Sequence, residues 1–186
     1  MGSEMCIRDR IKTIFPCKLR LQLYKSLLIP HIEYGLLIYG NANQIGKIVK
    51  LHKWGIRTAL NKKYNCHTEP LFKENDILNV RDLYNLKMLS QIREVANNSS
   101  PTAICNMYDF RTEKNRRPNY VIQPRSVSKI IDSLPLYHLP QIWNSYKFKD
   151  LLADPKKFSA QLKKDFITSY SQTCNIKGCY SCQHRQ

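Results

Sequence analysis

Several features are missing from this 186-residue sequence, and each absence excludes a class of protein. The sequence has no Asp-Asp pair, so it lacks the paired carboxylates with which two-metal polymerases hold their ions. It has only six glycines and shows neither a Gly-rich phosphate loop nor a nucleophile elbow. The apolar run Leu27–Tyr39 is too short to span a bilayer and is interrupted by Pro30, His31 and Glu33. The composition therefore indicates neither a familiar catalytic site nor a membrane protein.

Acidic residues are also scarce, at 14 against 30 lysines and arginines, which gives a net charge of +16. A charge of this size fits a polyanionic partner such as RNA, although a solvated basic surface is the alternative. Seven cysteines stand at irregular spacing, and no secretory signal precedes them. We therefore expect free thiols and an intracellular location, in the cytoplasm and nucleus.

Residues 1–10 resemble the translation of a transposase-type sequencing adapter read from a GTG start. On this interpretation they are foreign to the fold, are disordered and make no specific packing. An ordinary polar N-terminus is the alternative. We accordingly expect the native sequence to begin near Ile11.

The remaining sequence predicts a mostly α, irregular helical domain, with one short β element near 119–123 and a disordered Cys-containing tail. The expected segments are a helical region (11–108), a basic loop (109–128), a region of turns and short helices (129–170) and a Cys/His tail (171–186). In the first segment, leucines at helical spacing predict a helix that Pro30 kinks or interrupts. Gly35 and Gly40 are expected at a turn or a close contact.

Four further helices are predicted from periodicity and end signals. The second helix covers about 43–61 and the third about 69–73, with Cys66-His67-Thr68 helping to cap the third. Asn79 is expected to cap the fourth helix, which ends at Asn97–Pro101. The dipeptide Asp154-Pro155 starts the last helix, which ends near Tyr170.

A basic stripe marks one face of helix 43–61 and consists of Lys47, Lys50, Lys53 and Arg57. The opposite arc is apolar and includes His52, for which a core or boundary position is expected. Like charges at this spacing weaken a helix, so we expect a benefit that offsets this cost. Binding of phosphates, with release of their counterions, would provide it. A stripe exposed to solvent without any ligand is the alternative.

Trp54 lies beside the basic stripe and allows two interpretations. It can stack on an unpaired base, or it can pack in the core as most tryptophans do. A second basic cluster lies in the proline-bearing segment and consists of Arg111, Lys114, Arg116, Arg117 and Arg125. Flexible basic loops can become ordered on phosphate, and a solvated loop is the alternative.

The tail contains four soft metal ligands within eleven residues: Cys174, Cys179, Cys182 and His184. This set suggests a zinc site, with free thiols on a disordered tail as the alternative. The other native cysteines, Cys17, Cys66 and Cys105, are scattered and are expected to be buried or inert.

Four blocks resemble, in the same order, the region after the polymerase domain of non-LTR (LINE-type, jockey-like) retrotransposon reverse transcriptases. Tyr24–Asn41 is similar to the block Y-x-S-L-I-x-P-H-x-x-Y-G, and Leu51–Arg57 to L-Q-x-x-A-I-R. His67–Phe72 and Ile77–Tyr84 together resemble H-T-x-P-L-F followed by I-L-x-x-x-D-L-Y. Leu139–Ser145 is similar to G-P-x-L-W-N-S.

This resemblance implies a non-catalytic C-terminal piece of an RNA-directed DNA polymerase, from the thumb and connection that follow the palm. The implied partners are RNA or an RNA–DNA duplex, held without sequence preference, and the missing palm domain, with no membrane. No cofactor is implied for this piece apart from zinc in the tail, while the parent polymerase would need Mg²⁺. The competing interpretation is a protein-interaction module that packs on the palm and makes no contact with nucleic acid.

Overall fold

A computed structural model of the chain describes residues 14–108, 121–124, 134–145 and 154–170. These residues are mostly helical and contain no strand, so the predicted helical fold class is confirmed. Of the β element expected near 119–123, only residues 121–123 lie in the described part. There the backbone of Val121 pairs with a side chain: its N–H donates to Asn144 Oδ1 at 3.1 Å, and Asn144 Nδ2 donates to its carbonyl at 2.9 Å.

The described helices, in chain order, are α1 (Cys17–Leu23), a π-helical turn (Tyr24–Leu28), α2 (Ile29–Glu33), α3 (Leu36–Tyr39), α4 (Ile45–Ala59), α5 (Glu69–Glu74), α6 (Val80–Ala96), α7 (Thr102–Cys105), α8 (Pro135–Ser145) and α9 (Pro155–Ser169). Contacts divide the chain into two compact units. Among the described residues, the first unit comprises 14–34, 44–80 and 165–170, and the second comprises 35–43, 81–108, 121–124, 134–145 and 154–164. The linear segments expected from the sequence stay a prediction.

The effect expected of Pro30 appears as a change of helix type. The chain stays helical from α1 to α2, but it widens to a π-helical turn just before Pro30, which occupies the first turn of α2. Proline has no N–H, and its ring clashes with the carbonyl four residues earlier in a regular α-helix. A π turn moves that carbonyl away from the ring, which accounts for its position here.

The core of the first unit forms where α4 packs against α1, the π turn and α5. Its buried side chains include Tyr24, Ile56, Leu71 and Phe72. Gly55 brings α4 close to the π turn, because a Cβ built there would lie 2.5 Å from Leu28 Cδ2. The glycine thus fixes which face of α4 is buried.

Several helix ends agree with the sequence signals. The third helix was expected over 69–73 and is observed as Glu69–Glu74, and α6 begins directly after Asn79. At the start of α9, Asp154 Oδ1 accepts a hydrogen bond of 2.8 Å from the backbone N–H of Lys156. The N-cap predicted at Asp154-Pro155 is therefore confirmed.

Three helices end on a non-glycine residue in the left-handed conformation: Asn61 after α4 (φ 53°), Asp76 after α5 (φ 56°) and Asn98 after α6 (φ 52°). At each end the following N–H bonds back to a carbonyl five residues earlier, as Lys62 does to Arg57 at 2.8 Å. The N–H of the left-handed residue itself bonds to a carbonyl three residues earlier. Together the two hydrogen bonds satisfy carbonyls that a helix end otherwise leaves exposed.

The second unit packs α6 against residues of α8 and α9. Its largest fully buried side chains among the described residues are Trp143, Phe158, Leu36, Met88, Leu89, Ile92, Leu139 and Leu162. Gly40 permits close packing, because a Cβ built there would collide with the Tyr84 ring, and Gly35 takes a left-handed turn with φ 68°. Both roles expected of these glycines are confirmed.

One sequence expectation differs from the structure in this part of the fold. Turns and short helices are expected over 129–170, but α8 runs without a break from Pro135 to Ser145 and includes Pro140. Pro140 is buried beside Leu139 and Trp143, and burial of these side chains offsets the hydrogen bond that proline removes.

Candidate nucleic-acid interface

The lysines of the basic stripe lie together on the exposed face of α4. Lys47, Lys50 and Lys53 are all exposed, at intervals of three residues that place them along one side of the helix. The opposite face carries Ile56 and His52, which are 0% and 1% exposed. The amphipathic arrangement expected for helix 43–61 is thus observed, with slightly shorter bounds.

Arg57 differs from the three lysines because it is partly buried and its side chain is engaged. Its Nε donates a hydrogen bond of 2.7 Å to the carbonyl of Cys66, and its Cζ lies 5.9 Å from the centre of the Tyr64 ring. A cation over an aromatic face is attracted by the ring electrons. Arg57 therefore ties the turn after α4 to the helix and holds Tyr64 at the end of the stripe.

Trp54 is 39% exposed, so the expectation that it packs in the core is wrong. The reason lies in the next two residues. Gly55 and Ile56 take the face of α4 that contacts the core, and this leaves Trp54 on the lysine side. The indole is consequently available to a ligand on the same face as the basic stripe.

A groove of about 300 Å³ follows this face of the helix, and we call it the α4 groove. It is lined by Lys50, Leu51, Lys53, Trp54, Arg57 and Tyr64. Leu51 and Tyr64 were not among the candidates from sequence. The signal that marks Tyr64 is its place directly after Lys62-Lys63, an aromatic residue among cations, but nothing in the sequence shows that this turn folds back onto α4.

The electrostatic setting of the groove is one-sided. Between Asn41 and Asn65 the sequence has no aspartate or glutamate, so no carboxylate in this stretch offsets the lysines. Exposed cations of one sign raise the local concentration of anions and accelerate their association. The α4 groove therefore combines positive charge with two accessible aromatic rings.

No family model matches the chain, and neither curated proteins nor solved structures provide a match. What the α4 groove binds must be inferred from its own geometry and charge.

The other basic and metal candidates fall elsewhere. Arg111, Lys114, Arg116, Arg117 and Arg125 lie outside the described residues, as do Cys174, Cys179, Cys182 and His184 of the expected zinc site. Residues 1–10 also lie outside them. Within the ranges that the structure describes, no group of three His, Cys, Asp or Glu side chains is placed to hold a metal ion. In the same ranges no helix is both long and apolar enough to cross a bilayer.

His52 occupies the core, as expected, between two aromatic rings. Its ring centre lies 5.7 Å from that of Tyr24 and 4.9 Å from that of Phe72, with the planes nearly parallel. Its Nε2 has no hydrogen-bond partner among the described residues. Burial lowers the pKa of His52 to about 4, because the charged imidazolium loses its hydration there. His52 is therefore a neutral packing residue with no direct part in the groove.

The expected capping role of Thr68 is wrong. Thr68 precedes α5, but in the described structure its side chain makes no capping hydrogen bond, because Thr68 is buried and helical in conformation. An N-cap needs an extended backbone to direct its oxygen at the helix N–H groups. Of the cysteines expected to be buried or inert, Cys17 is exposed, while Cys66 and Cys105 are partly buried.

Proposed function

We propose that the chain binds the phosphate backbone of RNA or of an RNA–DNA duplex, without sequence preference, through the basic stripe on α4. The observation that carries this proposal is the exposure of Lys47, Lys50 and Lys53 along one helix face that has no acidic neighbour in the sequence. Contacts to phosphates position a protein on nucleic acid and carry no sequence information. Arg57 adds to the charge of the face and organises its far end.

The resemblance to the post-palm region of LINE-type reverse transcriptases agrees with this role. A thumb must hold any template and primer, so a grip on the backbone is the expected mode. The resembling blocks also contribute packing residues, since Phe72, Tyr84 and Trp143 are buried. We accordingly propose a binding role beside a palm domain, with no catalysis by the chain itself.

An apolar surface favours a second candidate function, a protein-interaction module. Leu19, Leu23 and Leu27 recur every four residues along α1 and the π turn, and they are 37%, 37% and 65% exposed. Three leucines on one exposed helix face form a candidate docking surface for another protein domain. In this case the basic face of α4 would be incidental, and removing its charge would leave the function intact.

Charge-matched variants distinguish the two candidates. In the test variant Lys47, Lys50 and Lys53 are changed to Gln, and in the control variant the exposed Lys156, Lys157 and Lys164 are changed to Gln. Both lose three charges, so a general loss of charge affects them equally. We expect the test variant to lose at least about tenfold in affinity for an RNA–DNA duplex, measured by fluorescence anisotropy, while the control loses much less. Equal losses in both variants would contradict a specific role for α4.

A further inference from the structure

The α4 groove has a composition that phosphate binding alone does not explain. Phosphate contacts need cations and N–H donors, but this groove also contains Trp54, Leu51 and Tyr64, exposed by 39%, 44% and 80%. Three large apolar side chains in contact with water carry a cost in free energy unless a ligand covers them. A ligand with flat apolar faces would cover these three side chains.

The geometry around Arg57 shows that the position of Tyr64 is determined by specific contacts. The left-handed Asn61 reverses the chain after α4, and the Cys66 carbonyl accepts the hydrogen bond from Arg57 Nε at 2.7 Å. The left-handed turn at Asn61 and this hydrogen bond bring Tyr64 into the same groove as Trp54, although the two rings are ten positions apart in sequence. Arg57 is a positioning residue for this aromatic pair, in addition to its charge.

We infer that the α4 groove binds an unpaired nucleobase of single-stranded RNA between Trp54 and Tyr64, while Lys50 and Lys53 hold the flanking phosphates. This inference rests on the proposed backbone binding and deepens it. Every base has a flat π face, so stacking on the two rings adds affinity without adding sequence preference. The groove volume of about 300 Å³ is at the lower end for ligand pockets and suits one base.

This arrangement distinguishes single-stranded RNA from a duplex. In a duplex the bases stack on one another and their faces are closed to side chains, so only the phosphates reach the lysines. In a single strand one base can turn out into the groove and use both interactions. The chain should therefore prefer single-stranded RNA to a duplex of the same sequence, by about the contribution of one stacked base, which is about tenfold.

Tryptophan fluorescence of the full chain tests the inference directly. The chain has two tryptophans, and Trp143 is fully buried, so quenching by a ligand reports on Trp54. The probes are a mixed-sequence RNA of about 12 nucleotides and the blunt duplex of the same RNA with its complement. We expect the single strand to quench the fluorescence strongly and the duplex to quench it little.

Variants at the two rings provide the second measurement. Trp54→Leu and Tyr64→Leu should each lose about tenfold in affinity for the single strand and keep their affinity for the duplex. The matched control is Tyr34→Leu, at a tyrosine that is 84% exposed in the same unit but outside the groove. Arg57→Lys keeps the charge but loses the planar fork, so it should reduce the preference for single strands without changing the salt dependence of duplex binding.

The outcomes separate the groove from the proposed function. Salt-dependent binding of both probes with equal affinity and no quenching would overturn the base-binding groove and leave backbone binding in place. Absence of salt-dependent binding to either probe would overturn both. Circular dichroism and thermal melting verify that each variant is folded, and the quenching of the unaltered chain does not depend on any variant.

Discussion

At the scale of single residues, His52 and His138 show how burial changes the protonation of a side chain. The ring of His138 stacks on that of Tyr84 with 5.6 Å between the ring centres, and His138 Nδ1 lies 3.0 Å from the Tyr84 hydroxyl oxygen. Burial lowers the pKa of His138 and raises the pKa of Tyr84 to about 12, the latter with a smaller contribution from Tyr108. His52 lies deeper and shows the larger effect, so it determines the prediction that follows.

We expect the first unit to lose stability in acid because of His52. Its folded pKa of about 4 lies below the ordinary value of 6.5, so between these pH values the unfolded chain binds a proton that the folded protein does not. The free energy of unfolding therefore falls as the pH is lowered from about 6.5 to about 4, by up to about 3 kcal/mol. His52→Phe keeps a ring in the stack and should flatten this part of the profile, measured by urea denaturation at each pH.

The control for this measurement is His31→Phe, which makes the same substitution at an exposed histidine of the same unit. Carboxylates also titrate toward the low end of this range, so the diagnostic quantity is the difference between the His52 variant and the unaltered chain. Identical profiles for the two would show that His52 does not titrate as its burial requires.

At the scale of elements, α4 carries both the core contact and the groove, and its two glycines have opposite roles. A Cβ at Gly55 would lie 2.5 Å from Leu28 Cδ2 and 2.9 Å from Tyr24 Cε2, while a Cβ at Gly46 would meet nothing within 4 Å. Alanine is the better helix former at both sites. Only Gly55 is needed for the approach of the π turn.

The pair Gly55→Ala and Gly46→Ala therefore makes a matched test on one helix. Gly55→Ala should destabilise the chain by about 1 to 3 kcal/mol, because the packed Tyr24 ring cannot move freely. Gly46→Ala should be neutral or stabilise it by up to about 1 kcal/mol. Thermal melting of the two variants gives the comparison, and stabilisation by both would mean that α4 does not pack on the π turn as closely as described.

The same elements show how much of the fold the sequence predicts. Periodicity and end signals locate α4, α5 and α9 to within about two residues. The leucines at 19, 23 and 27 locate a helix but not its buried face, since they are exposed and Arg20, Tyr24 and Ile32 are buried instead. The π turn near Pro30 changes the phase of the helix, and a sequence pattern read at a single period cannot include that change.

The candidate site was predictable to a similar extent. The lysine stripe follows from helical spacing alone, and its exposure agrees with the amphipathic pattern. The exposure of Trp54 and the arrival of Tyr64 depend on tertiary contacts of Gly55 and Arg57, which no local pattern encodes. Propensity favoured a buried tryptophan, and packing of the adjacent glycine overrode it.

At the scale of the whole molecule, we expect no polymerase activity from the purified chain. Nucleotidyl transfer requires carboxylates that hold two metal ions, and the sequence has no Asp-Asp pair to provide them. A primer-extension assay on an RNA template with Mg²⁺ or Mn²⁺ should give no product above a mock-purified control. Extension that persists through repeated purification would show that the chain supplies catalytic groups of another kind.

Salt dependence of binding tests the central claim most directly, because it counts the phosphates that the chain neutralises. With the four cations of the basic stripe engaged on a duplex, the logarithm of the affinity should fall with the logarithm of salt concentration with a slope of about −3 to −4. Changing Lys47, Lys50, Lys53 and Arg57 to Gln should flatten that slope and weaken binding to every sequence equally. An affinity that does not change with salt, or a slope that is the same in the quadruple variant, would contradict backbone binding by α4.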